Sequence, residues 1–115
     1  MDFQLQFFEF YLGVQMIDFA CQEFRRCLRE IEEGNLEYIE AALELVDKYS
    51  FSMKELNRVL EIGARKRYEE LLRYIRNGYL NLEKEALGLC MEYGFSYERL
   101  WKALKEGERN ENKLF

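Results

Sequence analysis

The chain has 115 residues with no proline and no histidine, and its 17 basic against 22 acidic side chains leave a net charge of −5. A composition that is 49% apolar and 34% charged, with no proline to punctuate turns, points to one domain and favours an all-α fold over a turn-dense β fold. Lack of histidine removes the usual general base and the commonest transition-metal ligand, so no catalytic, metal or cofactor site is expected, and the acidic balance argues against an obligate nucleic-acid binder.

From the start, Phe3, Phe7, Phe10, Val14, Ile17, Cys21, Phe24, Leu28 and Ile31 follow one another in steps of four and three. That is a heptad seam on a helix of roughly 43 Å at 1.5 Å per residue. A second stripe, Leu5, Phe8, Leu12, Met16 and Phe19, lies beside the seam, more apolar surface than one small core covers. Residues 1–19 are therefore expected to form an arm that packs on the chain with one face and self-associates with the other. The residues expected to join a homodimer or higher homo-oligomer are Phe3, Phe7, Phe8, Phe10, Val14 and Ile17. Asp2, Gln4, Gln6, Glu9, Gln15 and Asp18 interrupt any membrane span, and no basic region precedes the apolar start as in a signal peptide. Cys21, Cys27 and Cys90 form no CxxC, and their odd count leaves one unpaired, which fits a reduced, cytoplasmic setting.

Gly34 has the place of a left-handed C′ glycine, and Asn35 is positioned to cap the next helix. Leu36, Ile39, Ala42, Leu43, Leu45 and Val46 mark that helix as far as Tyr49, with Glu37, Glu40 and Glu44 on its solvated side. Ser52 and Glu55 have capping-box spacing, and Phe51 can staple onto Leu56. Leu56, Leu60, Ala64, Tyr68, Leu71 or Leu72, and Ile75 keep helical spacing across Gly63, either as one rod of roughly 40 Å or with a kink at the glycine. After Gly78 come a helix from Asn81 to Tyr93, a turn at Gly94 and a helix from Ser96 to Glu106. Gly107 is expected to close it, leaving 108–115 as a fraying tail.

Displaced by 44 residues, the sequence matches itself without a gap: positions 29–63 against 73–107 give 13 identities in 35. Gly34 meets Gly78, Leu36 meets Leu80, Ala42 meets Ala86, Tyr49 meets Tyr93, Phe51 meets Phe95, Ser52 meets Ser96, Leu56 meets Leu100 and Gly63 meets Gly107. Apolar and cap positions recur while charges vary, so what is shared is a fold. The expected architecture is a small helical bundle of two tandem 44-residue units, 20–63 and 64–107, preceded by the arm and followed by the tail.

Cys90, Gly94, Phe95, Leu100 and Ala103 have the spacing of a small residue, a turn glycine and the apolar positions that follow it. This segment resembles the helix-turn-helix of DNA-binding proteins. Val46, Ser50, Phe51, Leu56 and Val59 echo it, with Ser50 in place of the glycine and Val46 in place of the small residue. The resemblance implies recognition helices beginning at Ser52 and Ser96, offering Met53, Lys54, Asn57 and Arg58, or Tyr97, Glu98, Trp101 and Lys102, to a major groove. The joint segment 51–78 has seven basic and four acidic residues, +3 against −8 elsewhere, and contains Arg65, Lys66 and Arg67. Together with Arg58, Trp101 and Lys102, these are the candidate contacts to a protein partner or to nucleic acid. The expected function is a non-catalytic interaction or assembly module. The alternative is a dimeric helix-turn-helix regulator.

Overall fold

A computed structural model describes residues 2–114, with side chains described for 12–111. Five α-helices, α1 (Asp2–Glu32), α2 (Ile39–Tyr49), α3 (Met53–Arg76), α4 (Glu83–Tyr93) and α5 (Tyr97–Leu114), take up nearly all of the described residues, among which there is no strand. The all-α expectation is met. The chain forms two compact units, Met1–Leu60 and Glu61–Phe115, and the boundary falls inside α3, which continues as one helix past Gly63.

In the first unit α1 stops where glycine permits. Gly34 takes φ 104°, its N–H donates to the Ile31 carbonyl at 2.9 Å, and the Asn35 N–H donates to the Glu30 carbonyl at 3.0 Å. These two bonds satisfy carbonyls that the helix end leaves open. Asn35 does not cap the next helix with its side chain. Its amide Nδ2 instead reaches back to the Glu30 carboxylate at 2.7 Å, the contact that a Schellman turn usually makes with apolar groups, and a 3₁₀ turn, Leu36–Tyr38, precedes α2. Ser50 ends α2 in the left-handed region at φ 56°. Ser52 Oγ then accepts the Glu55 N–H at 3.1 Å to start α3. Phe24, Cys27, Leu28, Ile31, Ala42, Leu56 and Val59 are buried together, drawn from α1, α2 and the first turns of α3. Phe51 packs against this cluster, its ring 5.0 Å from that of Phe24 and 5.5 Å from that of Tyr49.

In the second unit Gly78 ends α3 at φ 107°, with its N–H on the Ile75 carbonyl at 3.0 Å and the Tyr79 N–H on the Tyr74 carbonyl at 3.1 Å. Here the turn is fastened by aromatic rings, Tyr74 and Tyr79 meeting edge to face at 5.9 Å. A 3₁₀ turn, Leu80–Leu82, leads into α4, which ends at Gly94 with φ 71° and its N–H on the Cys90 carbonyl at 2.9 Å. Tyr68, Leu71, Leu72, Ile75, Ala86, Cys90, Leu100 and Ala103 are buried. The Tyr68 hydroxyl donates to the Ser96 carbonyl at 2.7 Å and accepts from Cys90 Sγ at 3.3 Å. Burial first, and then the Cys90 contact, push the Tyr68 phenol well above its ordinary range. Phe95 packs on Tyr68 at 5.0 Å and on Tyr93 at 5.8 Å.

One helix end departs from expectation. Gly107 does not close α5, which runs on to Leu114, and Gly107 is absent from the positive-φ residues. It is buried, and a Cβ at that position would lie 2.1 Å from the Ile75 carbonyl oxygen and 2.8 Å from Leu80 Cδ2. The glycine serves close backbone approach rather than a turn.

Candidate functional site

Helix α1, with 31 residues, is roughly 46 Å long, and α2, with 11, is roughly 16 Å. Folded back from the turn at Gly34, α2 reaches its end near Ala20, and burial along α1 changes there. Ala20, Phe24, Cys27, Leu28 and Ile31 are buried, whereas Leu12, Val14, Met16, Ile17 and Phe19 are between 41 and 70% exposed. Five large apolar side chains in eight residues thus stand in water, far from the scattered singles normal on a protein surface. Leu12, Met16 and Phe19 also form one wall of an open groove of about 540 Å³, with Ala41, Leu45 and Tyr49 of α2 along the other.

Of the residues expected to self-associate, Val14 and Ile17 are placed on this exposed stretch. Phe3, Phe7, Phe8 and Phe10 belong to α1, but their side chains lie outside the described residues.

The residues expected to contact a partner or nucleic acid are placed on α3 (Arg58, Arg65, Lys66 and Arg67) and on α5 (Trp101 and Lys102). Consecutive helical positions point about 100° apart, so Arg65, Lys66 and Arg67 diverge. Arg67 is held by Glu85 of α4, Nε at 2.6 Å and Nη2 at 3.1 Å, and by Glu70 at 3.2 Å. The Arg65 guanidinium lies 5.5 Å from the Phe95 ring centroid, and Lys66 is exposed. On α5, Trp101 is exposed with the Lys105 ammonium 5.0 Å from its ring centroid, and Lys102 pairs with Glu98 at 3.5 Å.

Arg58 has different company. It lines a groove of about 490 Å³ with Arg25 and Arg29 of α1, and the carboxylates of Glu32 and Glu55 line the same groove. Arg25 and Arg29 were not among the expected contacts, although their spacing of four does put them on one helix face. In the second unit a carboxylate answers an arginine directly across the helices: Arg99 Nη2 donates to Glu69 Oε2 at 2.6 Å. This Arg99 bond, more than any other influence, holds the Glu69 carboxyl below its ordinary range.

Cys27 and Cys90 are buried and Cys21 is partly so, and burial pushes the Cys27 thiol up, favouring its protonated form. Among the described residues no group of three or more Cys, Asp or Glu side chains is arranged to hold a metal ion, and no helix is long and apolar enough to cross a membrane. Comparison with known proteins found no matching family model, no similar curated protein and no similar solved structure at a significant level.

Proposed function

We propose that this chain is a non-catalytic helical assembly module, built from two tandem 44-residue units, that self-associates through the N-terminal part of α1. The observation that carries the proposal is the run Leu12–Phe19, where five large apolar side chains are exposed on a helix whose next turns bury Ala20, Phe24, Cys27 and Leu28. Val14 and Ile17 continue the heptad seam that runs on through Phe24, Leu28 and Ile31, and Leu12, Met16 and Phe19 form the stripe beside it, the pattern by which one helix packs on another.

Support for the duplication comes from pairs of residues 44 apart. The 3₁₀ turns, the starts and ends of α2 and α4, and the starts of α3 and α5 are all displaced by that number. So are the glycine caps at Gly34 and Gly78, the left-handed Ser50 and Gly94, and the tilted ring pairs Phe24–Phe51 and Tyr68–Phe95, both at 5.0 Å. Each buried member of the first core, from Phe24 to Val59, has a buried residue at the matching place, from Tyr68 to Ala103.

Light scattering on the eluting full chain tests the proposal. Wild type elutes as a dimer or larger, and Val14→Glu or Ile17→Glu elutes as a monomer with unchanged helical signal. A wild type that stays monomeric at high micromolar concentration refutes it.

A dimeric helix-turn-helix regulator is the second reading, favoured by the α4–α5 corner: Gly94 is left-handed, Cys90, Leu100 and Ala103 are buried, and Tyr97, Glu98, Trp101 and Lys102 face outward. It requires duplex DNA affinity that falls steeply with salt and that Arg58→Glu weakens. Equal binding at 50 and 200 mM salt, or none, eliminates it.

A further inference from the structure

The exposed part of α1 poses a geometric question that self-association alone does not answer. At 100° per residue, Leu12, Val14, Met16, Ile17 and Phe19 span roughly 220° of the helix circumference. One neighbouring helix covers an apolar stripe about 100° wide, so the arm needs a seat made of two helices.

The molecule contains a precedent for such a seat. Leu56 and Leu60 of α3 lie 44 residues after Leu12 and Met16, and they pack on a core made by the hairpin of α1 and α2. A helix bearing leucine, and leucine or methionine, at these positions is one shaped to lie on a helical hairpin.

The first unit offers a two-walled seat in the α1–α2 groove, about 540 Å³ and open to solvent. One wall is the arm itself, through Leu12, Met16 and Phe19, so seat and occupant share a helix. That makes the surface self-complementary, as closure about a two-fold axis requires. The areas agree. With side chains of roughly 200 Å² each, the exposed fractions of the five residues amount to roughly 500 Å² per copy, and two copies together reach the ~1,000 Å² at which specific interfaces begin.

Charge selects among occupants. No Lys or Arg occurs before Arg25, while Asp2, Glu9, Asp18 and Glu23 do. A helix that lies on a lipid surface carries Lys and Arg along its polar face, and the arm has neither. The groove's charged lining is mixed, Glu23 and Glu44 with Lys48, so its fit to the arm rests on the apolar walls and not on charge.

Resting on the self-association proposed above, we infer that the α1–α2 groove is the docking site for the arm of a second copy. The two arms cross symmetrically, so that each lies between the other copy's α1 and α2.

Ala41 separates this docking site from self-association in general, because it belongs to α2, is exposed and contributes nothing to the arm. Sedimentation equilibrium of the full chain is expected to give a dimer for wild type. For Ala41→Arg the dissociation constant is expected to rise about thirtyfold or more, as for a charge placed in a desolvated interface centre, with the far-UV circular dichroism unchanged. Should Ala41→Arg lose helical signal, Lys48→Glu on the same wall makes the test at an exposed residue. If wild type is dimeric and Val14→Glu dissociates it but neither α2 variant does, the groove assignment is wrong and the arm's self-association stands. A wild-type monomer overturns both, and a monomer that floats with phosphatidylcholine–phosphatidylglycerol vesicles identifies lipid as the occupant instead.

Discussion

Replacing Gly107 by alanine should destabilise the protein, against the usual effect of that exchange in a helix. Alanine is favoured over glycine by about 1 kcal/mol in a helix interior, and at an open site the substitution stabilises. At Gly107 the added Cβ would lie 2.1 Å from the Ile75 carbonyl oxygen and 2.8 Å from Leu80 Cδ2. Carbon and oxygen in contact sit about 3.3 Å apart or more, so α5 must move away from the end of α3 by roughly 1 Å. Overpacking of this kind costs about 1–3 kcal/mol. The Ile75 carbonyl cannot yield freely, because it also accepts the Gly78 N–H at 3.0 Å in the turn that ends α3, and loosening that bond adds about 1 kcal/mol. Against the propensity gain, the net loss is about 2 kcal/mol, which lowers the midpoint of thermal unfolding by about 10 °C for a domain of this size. Gly88→Ala is the matched control: its Cβ would meet nothing within 4 Å, and the exposed position on α4 should gain about 0.5–1 kcal/mol. Urea and thermal melts followed by circular dichroism measure both. A Gly107→Ala protein as stable as wild type, beside a Gly88→Ala protein that gains stability, would refute the close-approach account.

Ser50 holds a left-handed conformation without being glycine, so Ser50→Gly should raise stability by about 1 kcal/mol in urea melts, and no change would mean that the turn stores no strain. Tyr68→Phe keeps the ring but removes the hydroxyl between Cys90 and the Ser96 carbonyl; it should cost about 1 kcal/mol, and a neutral result would make that bond idle. Glu69 has a folded-state pKa below its unfolded value because of Arg99, so the pair contributes stability above the unfolded carboxylate pKa and loses it as pH falls through the folded one. Both side chains are 47% exposed, and solvent screening keeps the contribution within about 1 kcal/mol. The stability gap between wild type and Glu69→Gln should therefore narrow on acidification, and a gap constant with pH would trace it to something other than charge. Reversing both charges, Glu69→Arg with Arg99→Glu, puts arginine and glutamate at the places that Arg25 and Glu55 hold 44 residues earlier in the sequence, and should recover most of what either single reversal loses.

The helix ends were legible where the cause is local. Gly34, Gly78 and Gly94 are left-handed because only glycine reaches those angles without strain, and Ser52 and Ser96 accept backbone N–H groups three residues on. Gly107 looked the same in sequence and is not, since a glycine needed for close approach and one needed for a turn carry the same letter. What distinguishes them is the chain beyond. Gly34 and Gly78 are followed by a fresh apolar pattern, whereas Glu108 to Lys113 contains no breaker and simply extends α5. The charged residues were less legible for a similar reason. Arg67 and Glu85 are 18 positions apart, and Glu69 and Arg99 are 30. A run such as Arg65–Arg67 shows how much charge is present but not which carboxylate the fold sets against it.

The arm is the intermediate case, because its stripes were visible and their coverage was calculable. An apolar seam says that a helix face wants burial; the length of the returning helix says how far the chain can provide it. Tyr49 lies 15 residues after Gly34, so a hairpin turning at Gly34 covers about the same length before it, back to Phe19. Burial changes between Phe19 and Ala20. Among the described residues Leu12, Val14, Met16, Ile17 and Phe19, upstream of that point, are left exposed by the hairpin, and the unbroken steps from Val14 and Ile17 to Phe24 and Leu28 conceal this, since periodicity is indifferent to who supplies the partner. Helix α3 removes the ambiguity where α1 cannot. Its first turns carry Leu56 and Val59 into the core of one unit and its last turns carry Leu71, Leu72 and Ile75 into that of the other. Helix α1 is longer than α3, and its described residues enter only one core.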